Sequence, residues 1–265
     1  MAQRRFLLAG VAVSLGCDSS QLISHLDRAW GHHSTKLDSD FTITCRIRPD
    51  STAILDPNRL KPGLAYARHD TSNGFELRSK SFFAEVNLEL RTAEISCPPE
   101  LAPIQVLLRQ LLPALVSDGI VLHAAGLAAS GRGWVCTGPS GCGKSTLAAL
   151  FPEAALCDEL VAVRRLHEQF VVDSLPFWTS RATTVPLAGL HFLRHGPANK
   201  RTSLAPPLAL KKLTREIHWP TYSRTAMDSC LAVAADLVTT IPCYELAFFP
   251  DTRVWPVLTS EASAA

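Results

Sequence analysis

No pair among the eight cysteines (17, 45, 97, 136, 142, 157, 230 and 243) has C-x-x-C spacing, which argues against a structural zinc site. No run of lysine or arginine stands out, and the net charge is only +2. That is too little for the electrostatic footprint of a nucleic-acid binder. No stretch reaches the ~18 apolar residues that a membrane-spanning helix needs. Internal repeats and low-complexity segments are missing as well. What is present suits a globular protein with a real core: 47% apolar and 19% charged residues in a chain of 265. That length allows one large domain or two modest ones.

Two segments bear on the compartment. Cys142 and Cys136 lie in and just before a glycine-rich loop, where a disulfide would hamper the backbone. The thiols therefore read as reduced, and the expected compartment is the cytoplasm. Arg4-Arg5 followed by the apolar run Phe6–Cys17 has the look of a short secretion signal. The favoured reading is a buried first strand, because the loop downstream suits a cytosolic ligand.

The chain divides into a β-rich region, 1–103, and a second region, 104–265. In the first, Phe41–Ile47 and Ala84–Leu90 alternate apolar and polar side chains as half-buried strands do. Turn-forming residues cluster at 49–63 and 70–74, and only Gln21–Trp30 reads as helix. In the second, Ile104–Val116 reads as an apolar helix interrupted by Pro113. Ile120–Ala128 and Trp134–Thr137 read as a strand pair around a Ser130–Gly133 turn. Ala155–Val163 reads as one apolar strand with two acids in its middle. Leu187–Leu193 (strand), Pro206–Arg215 and Asp228–Thr240 (helices) and Tyr244–Phe249 (strand) follow.

The strongest signal is Gly138-Pro139-Ser140-Gly141-Cys142-Gly143-Lys144-Ser145. It fits G-x-x-x-x-G-K-[ST], and a strand-like run precedes it while a helix-like run, Ser145–Leu150, follows. Glycines at these places let backbone N–H groups turn inward around phosphate oxygens, and the following helix, with Thr146 in its first turn, adds positive potential. Lys144 would reach the β- and γ-phosphates, and the Ser145 hydroxyl would ligate Mg²⁺. A nucleoside triphosphate is the expected ligand.

Two further signals flank the loop. Asp158 and Glu159 are adjacent on an apolar run, and a carboxylate on the strand beside such a loop commonly anchors Mg²⁺ or the attacking nucleophile. The alternative is a strand-end turn with solvated acids. His123 sits in the apolar strand upstream. It is either a hydrogen-bonded core residue or a group that orients an acid on the neighbouring strand.

In order, Leu-His-Ala-Ala-Gly (122–126), the loop, and Cys-Asp-Glu-Leu-Val (157–161) resemble the kinase domain of the HPr kinase/phosphorylase family. More closely, they resemble the small HPr-kinase-like proteins of bacterial peptide-modification clusters. His123 stands fifteen residues before Gly138, the spacing of that family. The tail Ile241–Asp251 with Val254-Trp255 is similar too, so the resemblance spans about 104–258. It implies an α/β fold with a mixed sheet: a carboxykinase-like version of the P-loop kinase core, preceded by the β-rich region. It also implies roles. Asp158 would be the base for a substrate serine hydroxyl. His123 would hydrogen-bond that base, Glu159 would stand at the family's second Asp, and Ser145, Asp158 and Glu159 would serve Mg²⁺. The Glu-x-Arg-Gly-x-Gly signature of the HPr-modifying enzymes is absent downstream.

The expected activity is thus ATP- and Mg²⁺-dependent phosphorylation of a serine on a peptide or small protein. In the most similar-looking relatives the substrate class is the precursor of a ribosomally made lasso peptide. A further cation is expected in such a site, with Arg181, Lys200 and Arg201 as candidates. A nucleotide-binding module that transfers nothing and a small-molecule hydroxyl kinase stay open, as does a homo-oligomer. Neither nucleic acid nor membrane is an expected partner.

Overall fold

Ala9 and Gly10 both take positive φ, 50° and 82°, the backbone of a tight hairpin turn. They fold the first apolar run back on itself as β1 (Ala2–Leu8) and β2 (Val11–Cys17). The single buried strand expected there is therefore an antiparallel pair, with Phe6 opposite Val13. This computed structural model describes residues 1–48, 66–177 and 182–260. The turn cluster expected at 49–63 and the candidate cation Arg181 lie outside the described residues. Within them, no helix is long and apolar enough to cross a membrane.

The chain forms two compact units, Met1–Leu115 with Pro220–Arg224, and Val116–Trp219 with Thr225–Ala265. In the first, β2 leads into α1 (Ser20–Trp30), where the Ser19 side chain accepts a hydrogen bond from the Leu22 N–H. That satisfies one of the open donors of the first turn. Leu22, Ile23, Leu26 and Trp30 form its buried stripe. The helix is the crossover that lets β3 (Phe41–Ile47) pair parallel to β2. Then come β4 (Tyr66–Thr71), β5 (Gly74–Ser79), β6 (Phe83–Asn87) and β7 (Thr92–Cys97). The sheet order is β1-β2-β3-β7-β6-β5-β4, parallel at its centre and antiparallel outward. β6 stops short of the expected Leu90, because the Asn87 side chain accepts from the Leu90 N–H at 2.9 Å and turns the chain.

α2 (Leu101–Leu115) begins three residues earlier than expected and carries Pro113 in its last turn. The boundary read at 103/104 falls inside this helix, which belongs to the first unit. Gln110 ties it there: its amide donates to the Tyr66 hydroxyl at 2.8 Å and its oxygen accepts from Arg68 at 3.1 Å.

The second unit opens with β8 (Gly119–Ala129), which returns as β9 (Arg132–Thr137) through Ser130-Gly131, both at positive φ. Then follow α3 (Lys144–Leu150), β10 (Ala155–Cys157), β11 (Leu160–Leu166), β12 (Gln169–Ser174), β13 (Thr184–His195), β14 (Lys200–Ser203), α4 (Pro206–Leu213), α5 (Arg224–Thr240), β15 (Cys243–Phe248) and α6 (Val254–Thr259). β9, β13 and β15 run parallel to one another. The ladders β8–β11–β12–β13–β9–β8 close on themselves. Alternate residues of β8 feed two cores. Leu122 and Ala124 pack with α4 and α5, while Ala125 and Leu127 pack with α3 and α6.

The one strand expected at Ala155–Val163 is two, parted by a bend at Asp158-Glu159. Leu156, Cys157, Leu160 and Val161 are all buried. A straight strand would carry a carboxylate into an apolar core, at high cost. The bend, with an irregular register of β10 on β8, leaves both acids half-buried.

All eight cysteines are free thiols. His191 of β13 is fully buried and stacked on Tyr244, with ring centroids 5.2 Å apart. Burial, with a smaller contribution from the charge of Arg201, pushes its pKa down to about 3. The imidazole is neutral in the folded chain and gains its proton on unfolding. This contribution to stability is intact above the unfolded value of about 6.5 and declines below it, by about 1.4 kcal/mol per pH unit. Thermal unfolding at pH 7 and pH 5 should therefore show a larger fall in midpoint for the wild type than for His191→Phe. Equal falls would contradict this account of His191.

Candidate functional site

β9 ends at Thr137, whose hydroxyl donates to the carbonyl of His123 on β8 at 2.9 Å. The next six residues, Gly138 to Gly143, curl before α3 begins at Lys144. Within the curl the Cys142 N–H donates to Pro139 O at 3.1 Å, and the Leu147 N–H closes the first helical turn on Gly143 O at 2.8 Å. Three glycines stand at positive φ: Gly138 at 145°, Gly141 at 83° and Gly143 at 108°. Gly143 is needed for space as well. A Cβ there would lie 2.7 Å from ring carbons of Phe248.

The curl sits where β9, β13 and β15 end together, the edge at which α/β sheets commonly bind ligands. His195, the last residue of β13, places Nε2 at 2.9 Å from Gly141 O. A carbonyl only accepts, so Nε2 carries the proton. Phe248, the last residue of β15, packs under Gly143. On the outer side, Trp255 of α6 contacts Phe151 and Trp134, with centroids at 4.7 and 6.1 Å.

Lys144 is buried, with 6% of its surface exposed. Its ammonium donates to Gly138 O at 2.6 Å and to Pro139 O at 3.3 Å, and it lies 3.9 Å from the Cys142 sulfur. Burial raises the Cys142 thiol, and the Lys144 charge partly offsets that. Pro139, Ser140, Gly141, Ser145 and Thr146 face solvent, while Gly138 and Cys142 are buried.

His123 shares its β8 face with Ala125 and Leu127, which pack toward α3. Its strand partner on the other side is Leu160, and the Ala124 N–H donates to Glu159 O at 3.3 Å. The backbone thus joins His123, the start of the loop and the Asp158–Glu159 bend to one short stretch of β8. Among the described residues no group of three or more His, Cys, Asp or Glu is gathered as a metal cage. A Mg²⁺ ion that keeps waters and phosphates as ligands needs only one or two protein oxygens. Ser145, Asp158 and Glu159, the oxygens named from the sequence, are exposed or half-buried.

Of the sequence-named cations, Arg201 lies 4.1 Å over the Tyr244 ring and donates to Ser260 O at 2.7 Å. Lys200 is exposed on β14. The further basic residue that meets the loop is instead His195, two residues past the end of the strand expected from the sequence. Glu216 also carries no motif that marks it in the sequence. It lies just beyond the helix expected at Pro206–Arg215, and its backbone O accepts from the His123 N–H at 2.9 Å.

No family model matches the chain, and none of the curated proteins matches it. Among solved structures, the HPr(Ser) kinase/phosphatase from Coxiella burnetii aligns at 14% identity, covering 52% of this chain and 84% of that one, with a TM-score of 0.27. A likeness so slight carries neither fold nor function across.

The loop geometry yields a paired test. Gly141→Ala meets open space and incurs only the positive-φ strain, about 1 kcal/mol. Gly143→Ala adds a clash with Phe248, for about 1–3 kcal/mol more. Denaturant unfolding should rank wild type, Gly141→Ala and Gly143→Ala in falling stability. Equal stability of the two variants would contradict the packing of Phe248 against the loop.

Proposed function

We propose that the chain is an ATP- and Mg²⁺-dependent kinase. It transfers the γ-phosphoryl group to a serine hydroxyl of a peptide or small protein, and the substrate class is a lasso-peptide precursor. The observation that carries this reading is the buried Lys144 folded over a glycine curl at the shared ends of three parallel strands. His123 and the Asp158–Glu159 bend join the same stretch of β8. The substrate class rests on the sequence resemblance alone. The free thiols suit a cytoplasmic setting.

In this reading Lys144 turns from the Gly138 and Pro139 carbonyls to the β- and γ-phosphates. Ser145, Asp158 and Glu159 would hold the metal ion, which would supply neutralisation of phosphate charge. Asp158 accepts the serine proton as the Ser–O–P bond forms and the bond to ADP breaks, and His123 keeps the carboxylate aligned. Catalysis is then mostly positioning and charge neutralisation.

One observation favours a second reading, a nucleotide-binding module without transfer: the two acids occupy a bend rather than a strand. Incubation with γ-labelled ATP, Mg²⁺ and candidate precursor peptides separates the two. The kinase reading expects labelled peptide serine, no ATP binding by Lys144→Ala, and retained binding with transfer lowered about 100-fold or more in Asp158→Asn. Slow ATP hydrolysis alone, unchanged in Asp158→Asn, would sink it.

A further inference from the structure

A buried ammonium held only by carbonyl dipoles is poorly compensated, and an opposite charge nearby relieves it. The fold brings one. Where β9 leaves β8 at Thr137, residues 216–218 take the vacated place: the His123 N–H donates to Glu216 O at 2.9 Å, the His218 N–H donates to Val121 O at 2.8 Å, and Ile217 bridges Leu122. That register sets Glu216 directly beside the start of the loop, and its carboxylate interacts by charge with both Lys144 and Cys142.

We propose that Glu216 is a counter-charge to Lys144 and an anionic gate on the loop. Incoming polyphosphate must draw Lys144 from the Gly138 and Pro139 carbonyls and tolerate the negative charge of Glu216 beside it. Glu216 therefore weakens polyphosphate binding, and its neutralisation tightens it. The inference rests on the reading of Gly138–Ser145 as a polyphosphate cradle.

The groups facing the carboxylate are Lys144 from α3, Cys142 from the loop and Arg215 on its own segment, with His123 across the backbone pair. Burial raises the Glu216 carboxyl above the ordinary range, while Lys144 and Arg215 pull it back. Its proton is thus gained nearer neutrality than that of a solvated glutamate, and the gate opens as pH falls.

The test is calorimetric titration of the full chain with MgATP and, separately, with inorganic pyrophosphate, at pH 8 and pH 5.5. Glu216→Gln, nearly isosteric, is expected to bind both about 5- to 20-fold more tightly than wild type at pH 8, the size of removing one like charge at a partly buried site. The advantage should shrink at pH 5.5, because burial raises the wild-type carboxyl above the ordinary range. Glu216→Asp, which keeps the charge, should stay near wild type. A purely structural role would make Gln and Asp alike.

Equal or weaker binding by a folded Glu216→Gln, with Lys144→Ala abolishing binding, overturns the gate and leaves the cradle standing. Wild type and Lys144→Ala binding alike, or neither binding, overturns the cradle and the gate together.

Discussion

The hydrogen bond from the Thr137 hydroxyl to His123 O fixes the place where β9 stops pairing and the curl begins. β8 is paired on both sides at this point, with Thr137 opposite Ala124 on one side and Leu160 opposite His123 on the other. Its period-2 alternation sends Ala124 to one core and His123 to the face of α3. Moving β9 by one residue would turn its own side chains to the opposite faces and shift the start of the loop along β8. The position of every other group at the site follows from this register: the bend after Cys157, Glu216 in the vacated place, and His195 and Phe248 at the ends of the neighbouring parallel strands.

The curl itself combines backbone strain and trapped charge. Its three positive-φ glycines set the turns of the loop, and the ring of Phe248 packs against Gly143. Lys144 is held inside, on the Gly138 and Pro139 carbonyls, the second of which also accepts from the Cys142 N–H. Such a loop favours an anion with several oxygens over a single carboxylate, because only the former can engage both the ammonium and the backbone donors. Glu216 interacts by charge with Lys144, so on the proposal above a bound polyphosphate shares Lys144 with a second anion.

Much of this was legible in local patterning. The alternation of Phe41–Ile47 matches β3, the periodic apolar residues of Gln21–Trp30 match α1, and the glycine spacing of 138–145 matches the curl. What was not legible depends on tertiary contact. Alanine is not a usual residue for positive φ, so Ala9 gave no sign of a hairpin. The Asp158–Glu159 bend exists because both faces of its strand are buried, a fact no single strand reveals. Composition does not say which sheet α2 joins; Gln110, Tyr66 and Arg68 decide it. His195 and Glu216 each lie just past an expected element and gain meaning only from the strands they meet.

The central claim is that β8 gathers the loop, His123 and the acid bend into one phosphoryl-transfer site. A crystal structure of the full chain with Mg²⁺ and a non-hydrolysable ATP analogue tests it most directly. The account predicts the triphosphate wrapped by Gly138–Ser145, Lys144 transferred from the Gly138 carbonyl to phosphate, and the terminal phosphorus facing Asp158. A nucleotide bound elsewhere, or a terminal phosphate turned away from the Asp158–Glu159 bend, would contradict it.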